Sequence, residues 1–234
     1  MPLSCRQRRW RLGGLLAVAL AFPLFAWSFS LEISAELLAW IEQRHGTETR
    51  QRVERWRTLM TAGQAWDEGK KLLAVNDFFN ELVFIDDLRH WRQADYWATP
   101  LEFLTSGGGD CEDFAIAKYF TLKAMGVDEA KLRMTYVKAL TLNQPHMVVT
   151  YYDTPEAMPL VLDNLADAIR PASERNDLAP VYSFNGSGLW LARERGQGKR
   201  AGDADRVGLW QDLLLRLSRP VAAMTPVRSG NPSK

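Results

Sequence analysis

One stretch near the middle of the chain limits the possible folds more than any other. Three consecutive glycines occupy positions 107–109 and are followed by Asp110 and Cys111. Residues 111–125 are apolar on nearly all sides and stop before Gly126, the residue type that most often ends helices. Because a helix that is apolar all round has to be buried, we predict a central core helix that begins at Cys111.

Cys111 is a candidate nucleophile because of where this helix begins. A helix N-terminus stabilises the thiolate, which is the reactive form of cysteine, and the preceding glycines allow a substrate to approach the backbone closely. The alternative is a cysteine that only fills space beside a loop. Its neighbours Asp110, Glu112 and Asp113 are unusual company in a dry core, so we favour the reactive cysteine.

The N-terminus has the features of a secretory signal. Four arginines precede an apolar stretch over residues 12–29, and residues 26–28 fit a small-x-small cleavage site. We expect residues 1–28 to be a signal peptide; an uncleaved membrane anchor is the alternative, since the apolar stretch is nearly long enough to span a bilayer. Cleavage would remove Cys5 and leave Cys111 as a lone thiol with no disulfide partner.

Length and charge bound the remaining possibilities. The 234 residues, 47% of them hydrophobic, are enough for one good core. A formal charge of +1 provides no basic footprint for nucleic acid, so we expect no nucleic-acid partner.

Hydrophobic spacing predicts helices first and strands afterwards, which is an α+β pattern. The predicted helices cover 33–44, 47–62, 68–85 (with Asp67 as N-cap) and 111–125, and 87–105 is an irregular connection. The predicted strands cover 131–140, 146–152, 159–163, 180–185 and 188–193. We expect the folded domain to span 31–195, a flexible loop over 195–208, a short helix over 209–217 and a disordered tail over 219–234.

Two further residues could assist Cys111. His146 begins an apolar strand and Asp163 ends the next one, so the two would meet near one end of the sheet if these strands are antiparallel neighbours. A Cys-His-Asp triad would result, in which His146 accepts the thiol proton and Asp163 orients the imidazole. The alternative is a histidine with ordinary hydrogen bonds and an aspartate that caps a turn.

Six short motifs resemble the bacterial transglutaminase-like cysteine proteinases. They are Val75-Asn76-Asp77-Phe78-Phe79-Asn80, Asp95-Tyr96-Trp97-Ala98-Thr99-Pro100, Glu102-Phe103-Leu104, Gly109-Asp110-Cys111-Glu112-Asp113-Phe114, His146-Met147-Val148-Val149 and Leu162-Asp163-Asn164-Leu165. The resemblance implies a papain-like, transglutaminase-like α+β fold, with N-terminal helices and a central helix packed on an antiparallel sheet. It also implies a triad of Cys111, His146 and Asp163.

The acidic residues beside Cys111 should oppose formation of the thiolate, and a bound cation would reverse that effect. Carboxylate oxygens suit calcium, and the resemblance implies calcium as well. Asp110 and Glu112 are the first candidate ligands, followed by Asp95 and Asp113, although we expect Asp113 to serve the helix dipole instead.

An oxyanion hole would complete the catalytic site. The Cys111 backbone N–H is the natural first donor, and the Trp97 indole N–H is a second candidate, unless that side chain only packs.

The resemblance further implies a biological setting. It points to a periplasmic, calcium-dependent endopeptidase that cleaves the N-terminal region of a large surface adhesin, which promotes biofilm dispersal. It also implies restraint by an inner-membrane cyclic-diguanylate receptor. The residues themselves leave open another acyl transfer, such as an amidase or transglutaminase reaction, and a non-catalytic calcium-dependent binding module. A zinc site ranks last, because one thiolate and one imidazole make a poor ligand set.

Overall fold

The computed structural model describes residues 33–191, 199–204 and 207–218. The predicted signal peptide and the predicted tail therefore lie outside the described residues. Within these ranges, no helix combines the length and the apolar character needed to cross a membrane.

The described chain is a layer of helices packed on an antiparallel sheet. The helices are α1 (Ala35–His45), α2 (Thr47–Gly63), α3 (Glu68–Asn80), α4 (Asp87–His90), α5 (Pro100–Ser106), α6 (Cys111–Ala124) and α7 (Gly208–Leu217). The strands are β1 (Val83–Phe84), β2 (Gly108–Gly109), β3 (Leu132–Ala139), β4 (Gln144–Tyr151), β5 (Leu160–Leu162), β6 (Arg170–Pro171), β7 (Leu178–Asn185), β8 (Gly188–Leu191) and β9 (Lys199–Gly202). The predicted α+β class is confirmed.

The large sheet has the order β6-β5-β4-β3-β7-β8-β9, and every neighbouring pair is antiparallel. Strands β3 and β4 form its centre and pair over their full length, from Leu132 opposite Tyr151 to Ala139 opposite Gln144. Strand β5 is shorter and pairs with β4 only from Val149 onward. The first half of β4 therefore has a free edge on the side of β5.

Helix α6 is the centre of the molecule, as its composition predicts. It contacts α3 and α5 on one side and β3 and β4 on the other. Asp110 caps its N-terminus by accepting the Glu112 N–H at 3.2 Å, while Asp113 accepts the Asp110 N–H at 3.3 Å. At its C-terminus Gly126 has a φ of +85°, a backbone conformation that favours glycine. Both ends of α6 are thus fixed by local sequence.

Two sequence-based expectations about the helices need correction. Helix α3 ends at Asn80 rather than at residue 85, because the chain leaves it to form β1, which runs parallel to β2. The connection over 87–105 is not irregular, since it contains α4 and most of α5. The Thr99 side chain begins α5 by accepting the Glu102 N–H at 3.2 Å, and Pro100 is the first helical residue.

The region predicted as a loop over 195–208 also contains a strand. Strand β9 pairs with β8, with Leu189 opposite Gly202. The helix that follows, α7, was predicted almost correctly, and it belongs to the main core. Its Trp210 is almost fully buried and stacks on Phe120 of α6 with ring centroids 5.6 Å apart.

Candidate active site

Cys111 is the first residue of α6, and close packing explains the glycines before it. A Cβ atom on Gly108 would lie 2.3 Å from the Val83 carbonyl oxygen, and one on Gly109 would lie 2.1 Å from an Asp113 carboxylate oxygen. Gly107 has a φ of +87° and ends α5. The glycines therefore let β1, α5 and the start of α6 converge, which fixes the position of the cysteine.

The Cys111 thiol lies against the free edge of β4. The backbone N–H of Met147, the residue directly after His146, lies near the sulfur and acts to lower the pKa of the thiol. The thiol itself donates to Glu112 Oε2 at 2.8 Å. Burial, and then the negative charges of Glu112 and Asp110, raise the pKa of this thiol. The surroundings of Cys111 thus oppose the thiolate, as the sequence predicts.

His146 and Asp163 meet where β4 extends beyond β5. His146 lies on β4, Asp163 directly follows β5, and both side chains are almost completely buried. His146 Nε2 and Asp163 Oδ1 lie 2.7 Å apart, and the Leu165 N–H also donates to this oxygen at 2.9 Å. Because Nε2 is engaged by Asp163, Nδ1 is the imidazole nitrogen left for a second partner.

The structure therefore brings His146 and Asp163 into direct contact and places Cys111 beside the residue after His146. No hydrogen bond joins Cys111 to His146 within the described chain, since the thiol is directed to Glu112 instead.

The charge of Asp163 is strongly stabilised. Burial alone would raise its pKa, but hydrogen bonds from His146, the Leu165 N–H and Arg175 outweigh burial and lower the pKa to about 2. Arg175 Nη2 donates to Asp163 Oδ2 at 2.7 Å. The aspartate is thus an anion at neutral pH, as a residue that orients a catalytic imidazole has to be.

Asp87 is an acidic residue of the site that sequence reasoning missed. Carboxylate oxygens of Asp87, Asp110 and Asp113 all lie within 4.8 Å of one another. A second group, with atoms equally close, consists of a carboxylate oxygen of Asp110, the Cys111 sulfur and a carboxylate oxygen of Glu112. Asp87 Oδ2 accepts the Tyr96 N–H, whereas Oδ1 is buried without a hydrogen-bond partner among the described residues. Asp87 begins α4, in a segment without hydrophobic periodicity, so only its proximity in the fold reveals it.

The electrostatics of these carboxylates fit a bound cation. Burial and neighbouring negative charges raise the pKa of Asp87 to about 6 and that of Asp110 to about 10. Burial also raises the pKa of Asp113 well above its ordinary value. Burying several ionised carboxylates together costs free energy unless a positive charge binds between them. Carboxylate oxygens are ligands that calcium prefers.

The two remaining candidate ligands differ in position. Asp113 is fully buried and its two oxygens accept the N–H groups of Ala98, at 2.7 Å, and Asp110. It therefore serves the helix N-terminus, although it also lies within the acidic group. Asp95 is exposed and falls in neither group of potential ligands in the described chain.

Trp97 is almost fully buried and stacks on Phe184, with ring centroids 5.7 Å apart. Its indole Nε1 is buried and makes no well-formed hydrogen bond among the described residues. Burial and the charge of Glu112 raise the pKa of Asp95, and the nearby Trp97 indole partly offsets them. The side chain thus packs and also keeps a donor available near the acidic residues that flank Cys111.

A buried polar network lies behind Asp163, and no sequence pattern predicts it. Lys118 on α6 donates to the side-chain oxygens of Asn76 at 2.8 Å and Asn80 at 2.7 Å. The Asn80 amide in turn donates to the Asp163 carbonyl oxygen at 2.9 Å. Burial lowers the pKa of Lys118 to about 7. This network ties the Asp163 loop to the two helices packed behind it.

Comparison with known proteins assigns this site to a family. The profile described as bacterial transglutaminase-like cysteine proteinase, BTLCP, matches residues 38–179, which include Cys111, His146 and Asp163. The chain belongs to this family. No curated protein gives a significant match to the chain.

Solved structures of similar sequence share this fold. The chain is similar to EGTA-treated LapG of Legionella pneumophila, with 46% identity and a TM-score of 0.70 over 79% of this chain and 98% of that one. It is similar to calcium-bound Legionella pneumophila LapG as well, with 45% identity and a TM-score of 0.68 over 79% of this chain and 99% of that one. The transglutaminase-like fold predicted from the sequence is thus confirmed.

Proposed function

We propose that this chain is a calcium-dependent cysteine endopeptidase whose catalytic residues are Cys111, His146 and Asp163. The observation that carries the proposal is the buried hydrogen bond between His146 and Asp163, formed next to Met147, whose backbone N–H lies near the Cys111 sulfur. Membership of a cysteine proteinase family supports it.

The chemistry follows from these three side chains. His146 Nδ1 accepts the Cys111 thiol proton, and the thiolate attacks the carbonyl carbon of the scissile peptide bond. The Cys111 N–H, with the Trp97 indole N–H as a second donor, stabilises the oxyanion. The imidazolium gives its proton to the departing amine, which leaves a thioester on Cys111. Water then attacks the thioester while His146 takes a proton from it, the C–S bond breaks to release the acid product, and the imidazolium returns the proton to the Cys111 sulfur.

We assign the calcium to the acidic residues around the start of α6. Asp110 and Glu112 flank the nucleophile, and Asp87 offers a buried oxygen without a partner among the described residues. When bound, calcium supplies positive charge that offsets these carboxylates. Backbone carbonyls or water would complete the six to eight oxygens that calcium takes. The calcium-bound and EGTA-treated structures of Legionella LapG support the choice of metal.

The proposal extends to a substrate and a setting on family resemblance alone. The chain would act in the periplasm, reached through the N-terminal segment over residues 1–28. It would cleave the N-terminal region of a large surface adhesin and so promote biofilm dispersal. An inner-membrane cyclic-diguanylate receptor would restrain it.

Cleavage of an adhesin N-terminal fragment by the purified protein tests the proposal. We expect a single cut with calcium present, loss of cleavage in EGTA and recovery when calcium is added back. A primary amine included in the assay separates hydrolysis from transfer, because a transglutaminase would attach the amine to the fragment. Binding of the fragment without any covalent change, unaffected by Cys111→Ala, would contradict the protease assignment and favour a binding module.

A further inference from the structure

Arg175 is a buried arginine that contacts the far side of the triad. Its side chain is 6% exposed, and Nη2 donates to Asp163 Oδ2 at 2.7 Å. Nη2 also lies 2.7 Å from Asp177 Oδ2, and Nε donates to Asp177 Oδ1 at 2.9 Å. The guanidinium thus bridges two carboxylates, of which Asp177 is 45% exposed and Asp163 is fully enclosed.

The two oxygens of Asp163 have separate partners. Oδ1 accepts from His146 and from the Leu165 N–H, whereas the only hydrogen bond found for Oδ2 in the described chain comes from Arg175. Rotation of the carboxylate about its axis would break contacts on both sides at once. Because His146 is hydrogen-bonded to this carboxylate, the orientation of the carboxylate sets that of the imidazole.

Arg175 is itself held rigidly enough to act as a support. It directly follows a short 3-10 turn, Ala172–Glu174, and its backbone N–H donates to the Ala172 carbonyl oxygen at 3.2 Å. Its carbonyl oxygen accepts the Leu178 N–H at 3.1 Å, where β7 begins. The backbone on either side of the guanidinium is therefore anchored to regular structure.

We infer that Arg175 is a positioning residue that fixes Asp163, and through it His146, in the orientation that catalysis requires. This inference rests on the proposed function. A purely structural ion pair is the competing explanation, because a buried arginine with two carboxylate partners also stabilises the fold.

The charges around Asp163 favour positioning. Among the described residues, the ionisable groups that interact with it are the bases His146, Arg175 and Lys118 and the acid Asp177, which shares Arg175 with it. Lys118 is hydrogen-bonded to Asn76 and Asn80 rather than to the carboxylate. Arg175 is thus the cation that touches Asp163 directly, on the side away from the imidazole.

A pocket beside Arg175 makes a conservative variant informative. Arg175 Nη1 is buried and has no hydrogen-bond partner among the described residues, and Arg175 helps to line a pocket of about 200 Å³ with Thr150 and Ser183. A lysine at position 175 would lose this unpartnered nitrogen and could keep one contact with Asp163. Arg175→Lys should therefore retain part of the positioning that Arg175→Met removes.

Four variants of the full chain test the inference. Arg175→Met and Arg175→Lys alter the guanidinium that contacts Asp163. Asp177→Asn alters the exposed carboxylate that also binds Arg175. Arg133→Met is the matched control, because Arg133 is a partly buried arginine of β3 that is stacked over Tyr152 and Trp190 and has no contact with Asp163 among the described residues. The measurements are kcat and KM for fragment cleavage, the thermal midpoint, and the proton NMR signal of the His146 Nε2–H, assigned by its loss in His146→Gln.

We expect Arg175→Met to lower kcat on the order of 10–100-fold with KM nearly unchanged, since small misplacements of catalytic groups cost this much. The Nε2–H signal should move or broaden, and Arg175→Lys should fall between Arg175→Met and wild type. Asp177→Asn should lose less activity than Arg175→Met. Arg133→Met should keep kcat and the signal unchanged, whatever its thermal midpoint.

A folded Arg175→Met variant that keeps either wild-type kcat or an unmoved Nε2–H signal would overturn the inference. If Arg175→Met does not fold, Arg175→Lys decides by the same two criteria. The NMR signal is measured without substrate, so it tests the positioning role of Arg175 independently of the proposed protease activity. Wild-type protein that cleaves nothing contradicts the proposed function, whereas an unmoved signal in the Arg175 variants contradicts the positioning role alone.

Discussion

His146 Nε2 lies 2.7 Å from Asp163 Oδ1, and both side chains are almost completely buried. The contact forms because β4 extends beyond β5, so that Asp163 follows the last paired residue of β5 and meets the half of β4 that β5 does not cover. The next residue of β4, Met147, has its backbone N–H near the Cys111 sulfur. A mismatch in length between β4 and β5 thus brings His146 and Asp163 into contact.

Substitution of the nucleophile gives the first prediction. Cys111→Ala should reduce cleavage of an adhesin fragment by at least about 10³-fold, because the thioester cannot form without the sulfur. The fold should persist, since a small side chain replaces a partly buried one, and circular dichroism checks this. Cleavage at a near wild-type rate by the folded variant would contradict a nucleophilic role for Cys111.

The His146–Asp163 pair gives the second prediction. His146→Ala should be nearly as damaging to kcat as Cys111→Ala, and Asp163→Asn somewhat less, because the aspartate orients the base rather than transferring the proton itself. The double variant should be little worse than His146→Ala, since residues that act as a unit are not additive. His45→Ala, at the exposed end of α1, is the matched control and should keep wild-type kcat. Fully additive losses would show that the two residues act separately.

Local sequence predicted much of this arrangement. The acidic cap and the apolar run of α6 predict that this helix begins at Cys111. The positions of His146 and Asp163 at the ends of two apolar strands predict that these two residues meet. Helix α5 was missed although its signal was present, since Thr99 followed three residues later by Glu102 is a capping box. The aromatic residues around it obscured that pattern.

Other features could not be read from the sequence. Asp87 and Arg175 join the site through contacts with other segments of the chain, and neither lies in a segment with hydrophobic periodicity. The four-residue strand β9 lies at the sheet edge and is rich in charged and small residues, so its composition is that of a loop. In each case a tertiary contact sets the position of the residue or strand, and no local sequence pattern predicts that contact.

The acidic residues give the third prediction, which uses a matched pair of aspartates. Asp87→Asn should weaken calcium binding, measured by titration calorimetry, because Asp87 offers, beside Asp110, a buried oxygen with no partner in the part of the chain that the structure describes. Asp95→Asn should change it little, since Asp95 is exposed and outside the acidic groups. Asp110→Ala and Glu112→Ala should lose both calcium binding and cleavage.

Asp113→Ala should act differently from these variants. Both Asp113 oxygens accept backbone N–H groups, so the main loss should be of stability, seen as a lower thermal midpoint. If Asp87→Asn and Asp95→Asn bind calcium with equal affinity, Asp87 is not a calcium ligand.

The low pKa of Asp163 gives the fourth prediction, on stability against pH. Its pKa in the folded protein is about 2, below the value of roughly 4 for an unfolded aspartate. The unfolded state therefore takes up the proton first as pH falls, so the stabilisation is complete above roughly pH 4 and is lost toward pH 2. The free energy of unfolding should fall by on the order of 2 kcal/mol over that window from this residue.

Denaturant unfolding at pH 5, 4, 3 and 2 measures the effect as a difference between wild type and Asp163→Asn. Contributions of other groups, such as Asp87 with its raised pKa, are present in both proteins and cancel in the difference. The exposed Asp153 provides the control, since Asp153→Asn should keep the wild-type slope. If wild type and Asp163→Asn lose stability in parallel between pH 4 and pH 2, Asp163 is not the stabilised anion that its contacts with His146 and Arg175 require.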